Sequence, residues 1–189
     1  MAIDSTRDGR QLRWPTEEAL RLREFQALVL KKLYGGLWHT TAPDHFERIL
    51  AGGAISPEPN IPDTGRSATS RGKEHYPYVR TLGGISLFDF DHFDQESYTN
   101  TFPNSAWHEF VPYRRCWGRS VWIEIDREQV AGQMISASDL LTRWHSDEAY
   151  GNKILPGIEA AHLGQLPRTA FKRAFLVGEG DDRLHPLAF

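Results

Sequence analysis

The sequence predicts an α+β protein built from small, partly split sheets of mostly antiparallel strands, with helices at the periphery. Two helical patterns come first, and short strand patterns follow without regular alternation. That order differs from the strand–helix repeat of a parallel doubly wound sheet. With 189 residues, 40% of them hydrophobic and 25% charged, the chain suits a single domain over 1–189. Residues 1–36 are expected to form a helical extension packed on this domain.

The composition restricts the functional classes. The net charge of −3 does not indicate a nucleic-acid binder, so an anionic partner would need a local basic patch. Cys116 is the one cysteine of the sequence, which excludes an intrachain disulfide and favours a reducing compartment. The N-terminal residues lack the apolar core of a signal peptide, and all apolar runs are too short to span a bilayer. We therefore expect a cytoplasmic protein with no membrane partner.

The first helix is predicted within 14–36. Thr16 precedes it as a capping residue, and Gly35 and Gly36 end it. Its apolar residues recur at helical spacing at Leu22, Phe25, Val29 and Leu33.

The second helix follows a short strand that begins the sequence LWHTT. Thr41 and Asp44 are predicted to form a capping-box-like pair, with Pro43 in the first turn. Gly52 and Gly53 end the helix.

Weaker patterns describe the rest of the chain. In order, they predict a long loop (57–77), a strand around 85–88, an irregular aromatic-rich stretch (91–118), a strand (121–126), a capped helix (within 136–151), a strand (158–161) and a helical turn leading to a last strand (174–177). In the 121–126 strand, Trp122 falls on the face expected to be partly exposed.

Polar side chains end the first strand, at His39, Thr40 and Thr41. An imidazole that donates one hydrogen bond and accepts another, next to two hydroxyl groups, suits the vicinal hydroxyls of a ribose. The alternative is structural: Thr41 caps the helix and His39 is an ordinary core or surface histidine.

Glu159 lies between apolar residues in GIEAAHL, on an expected strand. A poorly solvated carboxylate is costly, and such groups cluster at functional sites. Near a sugar it would stabilise positive charge developing at the anomeric carbon. The alternative is a glutamate on the exposed face of its strand.

Basic side chains occur in two places. Arg66, Arg71, Lys73 and Arg80 could hold a pyrophosphate, or pair with the carboxylates of DFDHFDQE downstream. The segment 113–122 alternates arginines with aromatic rings, a pattern that suits single-stranded nucleic acid or a solvated basic loop. The eight histidines show no metal-ligand spacing, so no metal is expected.

Three blocks taken in order resemble the ADP-ribosyltransferase superfamily: LWHTT with FERILAGGAI, then GGISLFDF, then ILPGIEAAHLGQLPRTAFKRAFLV. The closing block is most similar to DarT-type DNA ADP-ribosyltransferase toxins. The resemblance implies a split β-sandwich fold and NAD as a substrate. Phe88 and Phe90 stand where the family often has tyrosine.

The resemblance also implies roles for particular residues. Glu159 and a loop arginine, for which Arg80 and Arg71 are the two candidates, would carry catalysis and hold phosphate. The other residues implied to bind NAD are His39, Thr40, Thr41, Ser86 and Phe88, of which Phe88 would pack on nicotinamide.

The function implied is a NAD-dependent mono-ADP-ribosyltransferase, toxin-like, with DNA or RNA as acceptor and an antitoxin protein as partner. The alternatives are an RNA 2′-phosphotransferase-like enzyme, a non-catalytic nucleotide- or nucleic-acid-binding module, and a plain interaction domain. The first three require that His39 and Glu159 border one cleft, and the interaction domain predicts that they lie far apart.

Overall fold

The structure, a computed structural model, describes residues 16–63, 66 and 72–189. The described part of the chain is α+β, as the sequence predicts. Its helices are α1 (Glu17–Leu33), α2 (Pro43–Gly52), α3 (Tyr78–Thr81), α4 (Gln95–Thr101), α5 (Arg127–Val130) and α6 (Ala137–Ser146). Its strands are β1 (Leu37–Thr41), β2 (Ala54–Ile55), β3 (Gly84–Asp89), β4 (Arg119–Ile125), β5 (Met134–Ile135), β6 (Glu159–Leu163), β7 (Leu166–Pro167), β8 (Phe171–Gly178) and β9 (His185–Leu187).

One large antiparallel sheet dominates the described chain. Its strand order is β5-β6-β3-β1-β4-β8-β9, and β2 and β7 form a separate two-stranded sheet. The sequence predicted antiparallel pairing correctly but suggested several small sheets. The sheet is larger because β1 pairs with both β3 and β4 and so joins the strands on its two sides into one sheet.

The sheet has a weak seam between β1 and β3. These two described strands pair only at Leu37 with Asp89 and at Trp38 with Phe88. By contrast, β1 pairs with β4 at five positions and β3 pairs with β6 at five. Besides these two pairs, the backbone of Phe90 forms hydrogen bonds with Gly35 and Gly36, at 2.9 and 3.0 Å. Among the described residues, β1 has no ladder partner on its β3 side from His39 onward.

An aromatic cluster covers one face of the sheet around this seam. Its strand members include Trp38, Phe88, Trp122 and Phe175, and α1 packs on it through Phe25, Val29 and Leu33. Glu124 and Asp126 are partly exposed, as predicted for this face of the strand, but Trp122 on the same face is completely buried. The reason is tertiary: segment 110–113 covers the ring, and the indole N–H donates to the carbonyl oxygen of Pro112 at 2.9 Å.

The predicted first helix is confirmed. The Thr16 side chain accepts from the Ala19 N–H at 3.2 Å, and Phe25, Val29 and Leu33 are buried. Residues 1–15 of the predicted extension lie outside the described residues. None of the described helices combines the length and the apolar character needed to cross a membrane.

The start of α2 corrects the predicted Thr41–Asp44 capping pair. Thr41 belongs to β1, where it pairs with Val121, and the capping position is Ala42, which has no side-chain cap. Pro43 does supply the first turn, and Gly53 ends the helix at φ +72°. The helix α4 and the strand β9 are additions to the predicted elements; Asp94 caps α4 through the Ser97 N–H at 2.7 Å.

Ile123 lies at the centre of β4 and is completely buried, so its replacement by alanine should leave a cavity. We expect Ile123→Ala to lower the free energy of unfolding by about 2–5 kcal/mol, measured by urea denaturation. The control is Leu28→Ala on α1, where the side chain is 43% exposed and the expected change is within about 0.5 kcal/mol. Equal losses in the two variants would contradict this placement of the core.

Candidate functional site

A cleft of about 830 Å³ opens on the aromatic face, beside the seam. Of the side chains singled out in the sequence, His39, Thr40, Ser86, Phe88 and Glu159 all line it. They come from three neighbouring strands, β1, β3 and β6. The condition that His39 and Glu159 border one cleft is therefore met, and the roles assigned to them remain predictions.

Glu159 is the first residue of β6 and is 5% exposed. Its Oε1 accepts a hydrogen bond from the Ser86 hydroxyl, and its Oε2 accepts from the Leu155 N–H at 2.8 Å. Burial raises the pKa of the Glu159 carboxyl, while these two donors act in the opposite direction. Ionising this carboxyl therefore costs free energy in the protein alone, although the two donors are placed to hydrogen-bond a carboxylate.

His39 fills the place where the β1–β3 ladder stops. Its Nδ1 lies 3.1 Å from the carbonyl oxygen of Ser86. A carbonyl oxygen can only accept, so Nδ1 carries the proton and Nε2 keeps a lone pair for an external donor. Burial lowers the pKa of the imidazole, which favours this neutral form.

Ser86 connects the two titratable groups. Its carbonyl oxygen holds His39 and its hydroxyl donates to Glu159. Thr40 lies beside them, and its buried hydroxyl has no hydrogen-bond partner among the described residues. A buried polar group without a partner is uncommon and suits a ligand that supplies one.

Thr41 does not join this group. It pairs with Val121 in the ladder between β1 and β4, is 6% exposed and is absent from the lining of the cleft. The prediction that Thr41 binds NAD is not supported by its position.

Phe88 borders the cleft but is mainly a core residue, with 4% of its surface exposed. Its ring packs against Phe90, Phe110 and Trp122, with centroids 5.2–5.9 Å apart. This packing fixes the ring, so a nicotinamide could contact only the small part that faces the cleft.

The structure places Arg80 outside the cleft lining. Its guanidinium binds Glu58 Oε1 and Asp63 Oδ1, each at 3.0 Å, and lies over the ring of Tyr76. The loop arginines were expected to bind phosphate or to pair with DFDHFDQE; Arg66 and Arg80 instead pair with carboxylates of their own loop. Arg71, the other predicted phosphate ligand, lies outside the described residues.

Arg114 is the arginine that lines the cleft in the described part of the chain. Its guanidinium lies 5.1 Å from the ring centroids of both Phe110 and Trp117, which also line the cleft. The sequence identified this basic and aromatic segment but gave no reason to join it to Glu159. The pairing of arginine with aromatic residues was the signal, and only the fold supplies the location.

The opposite wall was not predicted at all. It comes from α6, through Leu141, Trp144 and His145, and from the stretch 152–156. The Trp144 indole N–H donates to the Asn152 carbonyl oxygen at 3.1 Å and so ties these two parts together. Lys153 adds a second basic side chain to the lining.

No protein-family model matches the chain, and no curated protein matches it. The chemistry of the cleft is therefore argued from its own residues. They combine the buried carboxyl group of Glu159, the neutral imidazole of His39 with its Nε2 lone pair, and the Thr40 hydroxyl, which has no hydrogen-bond partner among the described residues.

Glu159→Gln should show how much the buried carboxyl lowers the free energy of unfolding. Because the native pKa is raised above the ordinary 4.5, the native state keeps a proton that the unfolded chain loses, so stability falls as pH rises above about 4.5. Glutamine removes this cost, which is about 1.4 kcal/mol per unit of pKa shift. We expect the variant to be more stable than the wild type at about pH 8, with the difference vanishing near about pH 4.

Urea denaturation at several pH values measures this difference. The control is Glu128→Gln, which makes the same change at an exposed position of α5 and should show no such trend. A Glu159→Gln variant that is no more stable than the wild type at alkaline pH would contradict the argument.

Proposed function

We propose that the protein is a NAD-dependent mono-ADP-ribosyltransferase. The observation that carries this proposal is the buried Glu159 carboxyl, held by Ser86 in the same cleft as His39 and Phe88. These residues belong to the three blocks on which the family resemblance rests. The seam between β1 and β3 supports the split sheet that the resemblance implies.

The charge of the substrate suits the state of Glu159. The nicotinamide ring of NAD is cationic when bonded to ribose, and a cation next to a buried carboxyl favours its ionised form. The Ser86 hydroxyl and the Leu155 N–H then stabilise the carboxylate. In that form Glu159 accepts a hydrogen bond from the ribose 2′-hydroxyl and stabilises the oxocarbenium-like transition state.

His39 and Thr40 suit the binding of ribose hydroxyls. The Nε2 lone pair of His39 accepts a hydrogen bond from one hydroxyl, because Nδ1 is occupied by Ser86. The Thr40 hydroxyl, which lacks a partner among the described residues, takes the next. These contacts exist before and during the reaction, so they serve binding more than rate.

The reaction breaks one bond and forms another. The bond between C1′ of the ribose and the nicotinamide nitrogen breaks, and nicotinamide leaves as a neutral molecule with the bonding electron pair. An acceptor nucleophile then bonds to C1′ and gives up a proton. We assign phosphate contact to Arg114 rather than Arg80, because Arg114 lines the cleft and Arg80 does not.

The wall formed by Phe110, Arg114 and Trp117 favours DNA or RNA as the acceptor. Aromatic rings stack on bases and a guanidinium binds the phosphate backbone. The toxin-like role and the antitoxin partner belong to this proposal through the family resemblance alone.

Release of nicotinamide from NAD tests the proposed activity. We expect Glu159→Gln to lower kcat at least about 100-fold, since the carboxylate acts in the transition state. His39→Ala should mainly raise KM, and the control Glu128→Gln should behave as the wild type.

Each alternative function predicts a different experimental result. Transfer of phosphate from 2′-phosphorylated RNA to NAD would identify the phosphotransferase-like enzyme. Binding of NAD in calorimetry without any turnover would identify the binding module. Nicotinamide release that is unaffected by Glu159→Gln would refute the assigned mechanism.

Affinity for single-stranded DNA and RNA oligonucleotides tests the acceptor. Trp117→Ala should weaken binding by about 1–3 kcal/mol if the ring stacks on a base, and affinity should fall with salt. Fluorescence anisotropy measures both effects. The control is Tyr34→Ala, which removes an exposed ring outside the cleft; similar losses in both variants would argue against a stacking site.

A further inference from the structure

A chain of hydrogen bonds lies behind the cleft, centred on Tyr98 of α4. The side chain is 7% exposed, and its hydroxyl donates to the carbonyl oxygen of Pro156 at 2.7 Å. The same oxygen lies 2.8 Å from the Ser105 hydroxyl. A phenol has one hydrogen, which goes to Pro156, so Ser105 must donate to Tyr98. The direction is therefore Ser105 to Tyr98 to Pro156.

This chain ends on the turn that carries Glu159. The Leu155 N–H donates to the Glu159 carboxyl at 2.8 Å, and the Glu159 N–H donates back to the Leu155 carbonyl oxygen at 2.9 Å. Pro156 is the next residue after Leu155. The Tyr98 hydrogen bond thus reaches the residue next to the one whose N–H holds the carboxyl.

The turn depends on α4 for its position. Gly157 adopts φ +70°, in the left-handed region that favours glycine. A Cβ atom at Gly157 would lie 2.7 Å from the ring of Phe102, which directly follows α4. Close packing at Gly157 and the Tyr98 hydrogen bond at Pro156 thus fix two consecutive residues of the turn.

We propose that Tyr98 is a positioning residue for Glu159: its hydroxyl fixes the Pro156 carbonyl, and thereby keeps the Leu155 N–H on the carboxylate. The consequence for catalysis rests on the proposed transferase function. The positioning itself is a property of the substrate-free protein, so the two can fail separately.

The electrostatics of Tyr98 agree with this role. Burial, and to a smaller extent the charge of Glu159, raise the pKa of Tyr98 to about 12, against a lowering effect from Ser105. The phenol therefore keeps its proton, and remains a donor, throughout the physiological pH range.

Tyr98→Phe removes the hydroxyl and keeps the ring. The direct readout is the pKa of the Glu159 carboxyl in the substrate-free protein, from a ¹³C NMR titration assigned by the loss of its signal in Glu159→Gln. A hydrogen bond to a carboxylate favours the ionised form, so loosening the Leu155 N–H should raise this pKa further. A tyrosine with a merely structural role would leave it unchanged.

The matched control is Tyr78→Phe. Tyr78 is also buried, its hydroxyl donates to Asp147 instead, and its pKa is likewise raised to about 12. This variant should lose comparable stability without changing the titration of Glu159.

Kinetics provide the second readout. If the protein releases nicotinamide from NAD, Tyr98→Phe should lower kcat about tenfold and leave KM within about twofold, because the carboxyl is misplaced while the ribose contacts persist. Ser105→Ala, which weakens the first link of the chain, should shift the Glu159 titration in the same direction by less.

The outcomes separate the two claims. An unchanged Glu159 titration in Tyr98→Phe overturns the positioning role, and so does an unchanged kcat in an active enzyme. If Tyr98→Phe raises the Glu159 pKa and the wild-type protein releases no nicotinamide, the positioning role is supported and the proposed function is refuted. If Tyr98→Phe does not fold, Ser105→Ala is the deciding variant. A raised Glu159 pKa in Ser105→Ala supports the proposal, and an unchanged pKa overturns it.

Discussion

The site depends on a carboxyl group buried where a sheet is nearly interrupted. Glu159 has almost no contact with solvent, and a buried ionisable group is tolerated only when donors surround it. Ser86 and Leu155 supply those donors, and burial still raises the pKa of the carboxyl. The arrangement lowers the stability of the protein alone and suits a cationic ligand. Ionisable groups with shifted pKa values are common at functional sites.

The seam between β1 and β3 explains why a cleft is present here. If β1 and β3 paired continuously, the backbone N–H and C=O groups beyond Trp38 would bond to each other and the two strands would leave no cleft between them. Instead, the imidazole of His39 takes the carbonyl oxygen of Ser86, so that a side chain replaces a backbone partner. The hydroxyl of the same serine donates to Glu159, so one residue contacts both titratable groups.

Part of the fold could be predicted from local pattern alone. The cap at Thr16, the first turn at Pro43 and the alternation of Val121, Ile123 and Ile125 are all as expected. Their causes act within a few residues: a side chain reaches the next turn, or every second side chain meets the core. Thr41 failed as a cap because the pairing of β1 with β4 extends to it, and that pairing is not a local property.

The sequence by itself determined that a carboxylate would lie on a strand among apolar residues, and that a histidine and two threonines would end another strand. Only the tertiary structure decided that these groups share a cleft, that Arg80 is held by Glu58 and Asp63, and that Arg114 and α6 form the walls. The physical reason is the distance along the chain over which each kind of interaction acts. Periodicity and capping are encoded within a turn or a strand, whereas the partner of a charge depends on which distant segments the whole sheet brings together.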